Sequence, residues 1–155
     1  MDKEIVFLVV LDDSEEMFRA LRYAGRRSSR NNGRVALLYT FETLEFSHWK
    51  AVEDIAEVES REKAEEKIAE YQDFVMTFTE KKPKKFIMKG DRVECIIKFL
   101  EANKFISNFV LAASAKSSSS DILISAFTGK HRANIKVPLT ILPSTLSEEE
   151  IDKLS

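Results

Sequence analysis

The sequence predicts an α/β fold, an open parallel sheet of five strands with helices on both faces. Two observations predict it, and a third sets its scale. Short apolar runs alternate along the chain with stretches of helical period, which is the pattern of parallel crossovers whose right-handed connections leave few topologies open. The first run, Ile5 to Leu11, is continuous rather than alternating, as expected of a strand buried on both faces. The length of 155 residues and the lone Cys95 then imply one core, large enough to stand without disulfides or a structural metal.

Each element follows from local signals. After Leu11 come Asp12, Asp13 and Ser14, an acidic turn expected to cap a helix on which Met17, Phe18, Leu21 and Ala24 recur. Asn31, Asn32 and Gly33 end that helix, and Val35 to Phe41 is the second apolar run. Ser47 to Glu80 holds neither proline nor glycine. There Val52, Ile55, Ala64, Ile68, Tyr71, Val75 and Phe78 read as one face of one long helix, or of two in series. The pairs Glu59 with Lys63 and Arg61 with Glu65, four residues apart, mark its solvated face.

Lys84 to Lys89 is a short third strand. Gly90 and Asp91 turn it into a helix whose Val93, Ile96, Ile97 and Leu100 share a stripe, with Asp91 and Glu94 resembling a capping box. Phe105 to Ala113 is the fourth strand, and Ala115 to Asp121 is a small, polar loop with four consecutive serines. Ile122 to Ala133 reads as helix. Ile135 to Leu142 is the fifth strand, set at an edge by Pro138, which removes a backbone donor. Residues 1–143 thus form a single domain, and 144–155 form a tail in which Ser147 and Glu150 at capping-box spacing predict a short helix.

Composition excludes several functions. Lys and Arg total 24 against 26 Asp and Glu, a formal charge of -2, so no global field draws the chain to nucleic acid. No apolar run approaches the ~20 residues of a bilayer span, and the N-terminus lacks the pattern of a signal peptide. A cytoplasmic protein without membrane partners is expected. Two histidines and one cysteine argue against a zinc site or a cysteine–histidine nucleophile. Thr128-Gly129-Lys130 lacks the upstream glycine and preceding strand of a P-loop. Cys95 reads as a buried inert thiol, His48 and Trp49 as packing at a helix start, and His131 as part of a basic patch with Lys130 and Arg132. No nucleophile and base stand at readable spacing, so no catalytic residue is assigned.

In doubly wound sheets ligands sit beyond the carboxyl ends of the strands, at the switch in strand order. Here that rim holds Asp12, Asp13, Thr40, Gly90 and the loop from Ala112 to Ser120. Asp12 suits hydrogen bonding to a base edge, and the loop N–H groups with the following helix N-terminus suit phosphate. The plainer alternative makes Asp12, Asp13 and Ser14 helix caps and the serines a connection.

Ile5 to Leu11 followed by Asp12-Asp13-Ser14, then Val35 to Phe41, Phe109-Val110-Leu111 entering the serine loop, and Val137-Pro138-Leu139-Thr140-Ile141-Leu142 together resemble the universal stress proteins. The likeness covers nearly the whole chain. It implies a Rossmann-like five-stranded parallel sheet in the order 3-2-1-4-5, and dimerisation through the last strand. Val137, Leu139 and Ile141 would form that seam. It also implies that Asp12 meets adenine while Val10, Leu11 and Thr40 line the base pocket. Nucleotide-binding members carry G-x-x-G, nine residues, then G followed by Ser or Thr. Counting back from Pro138 puts those positions on Ala112, Ala115, Ser125 and Ala126, with no glycine among them. A Cβ then stands where phosphate would approach the backbone, so the loop is degenerate, although Lys116, Ser117 and Ser118 offer charge and hydroxyls. The implied cofactor is ATP or AMP, bound weakly or not at all, with magnesium entering only alongside ATP.

The expected function is therefore a small dimeric regulatory or binding module of the stress response. Three readings stand beside it. One is an ATP-binding, slowly hydrolysing member that uses the serine-rich loop. Another is a phosphoryl-receiver domain, in which Asp12 and Asp13 would hold magnesium; it needs an aspartate ending the third strand and a Lys-Pro after the fifth, where this chain has Leu142-Pro143. The last is a pure interaction protein whose edge strand binds another chain.

Overall fold

The computed structural model describes residues 3–43, 50–116 and 119–155. Its elements run β1 (Val6–Leu11), α1 (Met17–Arg30), β2 (Arg34–Phe41), α2 (Lys50–Val75), β3 (Lys84–Lys89), α3 (Arg92–Ala102), β4 (Asn108–Ala112), α4 (Ser119–Thr128), β5 (Leu139–Leu142) and α5 (Glu148–Leu154). The sheet has the order β3-β2-β1-β4-β5, and every pair is parallel. Chain direction reverses its walk across the sheet between β1 and β4. The switch point of a Rossmann-like fold therefore lies above Leu11 and Ala112.

The continuous apolar run of β1 is buried at every position because two cores form against it. Phe7, Val9 and Leu11 face Met17, Leu21 and Ala24 of α1 and Ile68, Tyr71 and Val75 of α2. Val6, Leu8 and Val10 face Ile96, Phe99 and Leu100 of α3 and Leu123 and Phe127 of α4. Alternate residues serve opposite layers, as the two-residue period of a strand requires.

Gly33 makes the turn into β2 possible. A Cβ there would stand 2.4 Å from the Ile5 carbonyl oxygen, the same oxygen that accepts from the Arg34 N–H at 2.9 Å. Only glycine lets the start of β2 approach β1 so closely.

The tail is helical and docked. Ser147 and Glu150 form the reciprocal capping box, Ile151 is fully buried, and Asp152 takes a two-pronged hydrogen bond from Arg22 at 2.7 and 2.8 Å.

Several boundaries differ from expectation. The 50–75 stretch is one helix, and the proposed start at Ser47, with His48 and Trp49, lies outside the described residues. Phe78 falls beyond its end, and Val52 and Ile55 are exposed rather than on the packed face. Arg61 turns to Glu57 at 3.4 Å and Glu65 to Lys85 at 2.6 Å, in place of the pairs read from four-residue spacing. β4 starts at Asn108 and β5 at Leu139, the latter just after Pro138, which has no N–H to donate. The fourth helix begins at Ser119, before the expected Ile122, and ends at Thr128. Among the described residues, no helix is long and apolar enough to cross a membrane.

Candidate functional site

The rim above the switch point is built from four chain segments. The first is the turn after β1. Asp12 is half-buried, and its Oδ1 accepts from the Ser14 N–H at 3.1 Å and the Ser14 hydroxyl at 2.6 Å. Ser14 in turn accepts from the Met17 N–H at 3.3 Å. The cap of α1 is thus relayed through Ser14, and Glu16, at the formal cap position, makes no side-chain cap bond. Asp13 turns the other way, with φ at 59°, and accepts from the Tyr71 hydroxyl of α2 at 2.5 Å. Lys67 stands 3.7 Å from the same oxygen. Burial, reinforced by that carboxylate, pushes the Tyr71 phenol well above its ordinary pKa. Burial likewise raises Tyr39 beside it. Both phenols stay neutral donors across the working pH range.

The second and third segments are the end of β2 and the start of α3. Thr40 is buried and its hydroxyl accepts from Arg92 Nε at 3.4 Å. Gly90, at φ 137°, makes the bend in which its N–H reaches the Phe41 carbonyl at 2.9 Å. Asp91 accepts from the Glu94 N–H at 3.1 Å and caps α3. Val10 and Leu11 are buried in opposite cores, so their side chains are spent on packing. Only their backbone borders the rim.

The fourth segment is the loop after β4, where a phosphate cradle would lie. Ala112 is buried, and Ala115 and Lys116 are exposed. Ser117 lies outside the described residues, as does Ser118. Apart from glycine, only Asp13 and Asn32 take positive φ among the described residues. The backbone from Ala112 to Lys116 therefore does not adopt the conformation that glycine would supply. Asp121, in the first turn of α4, reaches back instead. Its Oδ1 accepts from the Ser114 N–H at 3.2 Å and its Oδ2 from the Ser114 hydroxyl at 2.9 Å. A carboxylate of the chain itself holds two donors at the mouth of the loop, and its charge repels phosphate. Among the described residues of this loop, the donors of Ser114 are already taken.

Arg19 of α1 braces this rim from behind. Its guanidinium donates to the carbonyls of Ala113 at 3.3 Å and of Pro143 and Leu146 at 2.7 Å each. Ser125 and Ala126 sit within α4, six residues or more past its start, which is roughly 9 Å along the axis. They are not at its N-terminus. They line a hollow of about 560 Å³ between α3 and α4, with Asp91, Glu94, Lys130 and His131 around it. Among the described residues, no three His, Cys, Asp or Glu cluster in a way that could hold a metal ion. Cys95 is buried, and burial raises its thiol pKa, which suits the inert role.

Of the residues named from sequence spacing, Asp12, Thr40 and Ala112 stand at the rim, and Ser125 and Ala126 lie within α4. It also passed over Asp121, Arg92, Arg19 and the Tyr71–Asp13 bond. Asp121 carried a readable signal, an acid in the first turn of a helix seven residues after Ser114. Arg92 and Arg19 carried none, since both act on backbone or hydroxyl groups far away in sequence.

The sequence profile of the Universal stress protein family matches residues 6–143. The chain belongs to that family. Solved structures agree in fold: the universal stress protein UspA from Lactobacillus plantarum is 18% identical with a TM-score of 0.70, over 92% of this chain and 99% of that one. A universal stress protein solved in complex with cAMP is 13% identical at a TM-score of 0.62, over 93% and 100% of the two chains. A member of the family from Burkholderia pseudomallei is 16% identical at a TM-score of 0.62, over 89% and 95%. Identities this low speak for the shared fold alone. Among curated proteins, none matches the sequence significantly.

Proposed function

We propose that this universal stress protein is a small cytoplasmic regulatory or binding module, homodimeric through β5, in which ATP binding is weak or lost. Asp121 carries the reading. A phosphate entering the loop after β4 would have to displace a carboxylate that already accepts from the Ser114 N–H and hydroxyl. The absence of glycine at Ala112 and Ala115 acts in the same direction, because each Cβ narrows the approach of phosphate to the backbone. Asp12, Thr40 and the backbone of Val10 and Leu11 still form a rim where an adenine ring fits the chemistry. A nucleotide held there would depend on its base.

The test is calorimetric titration of the purified chain with ATP and magnesium, and separately with cAMP, since a relative of the same fold was solved with that ligand. The expected result is no saturation below about millimolar ATP, a standard free energy weaker than about -4 kcal/mol. Saturable micromolar binding of ATP would overturn the reading in favour of a nucleotide-dependent switch.

A further inference from the structure

The first half of α2 carries an apolar stripe that stands exposed among the described residues. Val52, Ile55 and Val58 are 43%, 59% and 56% exposed, and they recur every third residue, so they form one continuous ridge. The packed residues of the same helix are Ala64, Ile68, Tyr71 and Val75. At about 100° per residue, the nine positions from Ile55 to Ala64 carry the chain to the opposite side of the helix. Ile55 therefore points away from the packed face, with Val52 and Val58 about 60° to either side of it. Three adjacent exposed aliphatics on one ridge differ from scattered surface apolar residues, which need no explanation.

Charge selects the occupant. Asp54, Glu59 and Glu62 border the ridge, and among the described residues none of them has an ion-pair partner. Of the cations nearby, Arg61 is turned to Glu57 at 3.4 Å and lies over the Phe41 ring, on the side that faces the sheet, while Lys63 is exposed four residues after Glu59. A second copy of α2 suits this surface poorly. Over residues 50–62 it carries two cations against five acids, so apposition of two copies brings like net charge together. Like charges so placed disfavour the pairing. A helix with an apolar face flanked by lysine or arginine matches both the ridge and its border.

We infer that the N-terminal half of α2 is a docking surface for a basic amphipathic helix of another protein. The ridge lies on the solvent side of α2, so its binding is tested without nucleotide. The experiment uses the full chain and a fluorescently labelled helical peptide with leucines on one face and lysines on the other, followed by anisotropy. Saturable binding is expected, weakened at least about tenfold by Ile55→Asp with Val58→Asp and by Glu59→Lys with Glu62→Lys, and weakened by salt. These positions are exposed, so the variants should keep the wild-type circular dichroism spectrum, and Ile141→Asp should leave peptide binding unchanged. Equal binding by wild type and the Ile55→Asp, Val58→Asp variant would overturn the inference, as would no saturation up to about 100 μM peptide, weaker than typical specific affinities. Self-association lost in that variant but retained in Ile141→Asp would also overturn it, assigning the ridge to a second copy.

Discussion

Asp13 holds a backbone conformation that costs an aspartate of order 1 kcal/mol or more, and the Tyr71 hydroxyl at 2.5 Å offsets that cost. The bond ties the turn after β1 to α2, so the residue next to Asp12 is fixed by an element that also brings Lys67 to the same oxygen. Tyr71→Phe should lower stability by about 1.5–3 kcal/mol, the range for a hydrogen bond to a charged group, with the fold retained in circular dichroism. Denaturant unfolding of the two proteins measures it, and an unchanged midpoint would mean that the turn needs no help. Asp121 works in the opposite sense, occupying donors rather than directing them. In Asp121→Ala the Ser114 N–H and hydroxyl are released and a repelling charge is removed. Titration with ATP and magnesium should then show affinity raised by about tenfold over wild type. If the variant stays as weak as its parent, the missing glycines rather than the carboxylate close the loop.

The helices differ in how plainly the sequence announces them, and the difference has a physical cause. In α1 the apolar residues lie on one face throughout, and Asn31 to Gly33 stops the helix where the turn must form. In α2 the apolar residues lie on two opposite faces, so counting them as one stripe hides the exposed ridge while still marking a helix. The start of α4 was misread because Asp121 closes a loop through the tertiary contact with Ser114, and helical period carries no trace of such a contact. The strands were legible at their centres and overrun at their starts, Phe105 against Asn108 and Ile135 against Leu139. Much of the rim was readable from its chain position alone, whereas its bracing depends on long-range guanidinium bonds. The capping box of α5 was readable in full, but its docking was not, since it depends on Arg22 and Arg26 meeting Asp152 across 130 residues or nearly so. The hydrogen bond from Arg22 holds the Asp152 carboxyl below its ordinary pKa of 3.8. A depressed folded pKa makes the stabilisation complete at neutral pH and removes it as pH falls through 3.8 and on through the folded value. Asp152→Asn should therefore cost about 1–2 kcal/mol at neutral pH. Urea unfolding at a series of pH values should show the gap between variant and wild type closing below about pH 4. A gap independent of pH would assign the loss to packing.

At the scale of the whole molecule the sheet has two open edges, and the chain treats them differently. At β3, Lys84, Lys85 and Lys89 stand exposed along the strand, and Lys85 and Lys89 pair with Glu65 and Glu57 of α2 at 2.6 and 3.3 Å. Lysines of this kind, with a helix alongside, block pairing with another sheet. At β5 no residue from Leu139 to Leu142 is charged, and Thr140 is satisfied inward by Asn108 at 2.8 Å. Val137 and Leu139 pack against the α3 and α4 core, which leaves Ile141, 37% exposed, as the apolar side chain available at this seam. The proposed dimer thus uses one edge by design of the sequence, since the other is guarded. Two copies meeting along β5 would cover Ile141 and the strand's unpaired backbone groups, leaving the rim, the docked α5 and the α2 ridge outside the contact. Gel filtration with light scattering should give about twice the 17.8 kDa of the chain. Ile141→Lys places a charge on the seam, as β3 does on its own edge, and should return the protein to monomer mass with an unaltered circular dichroism spectrum. A wild-type protein at monomer mass would remove the dimer from the proposal, and an Ile141→Lys protein that remained dimeric would move the contact away from β5.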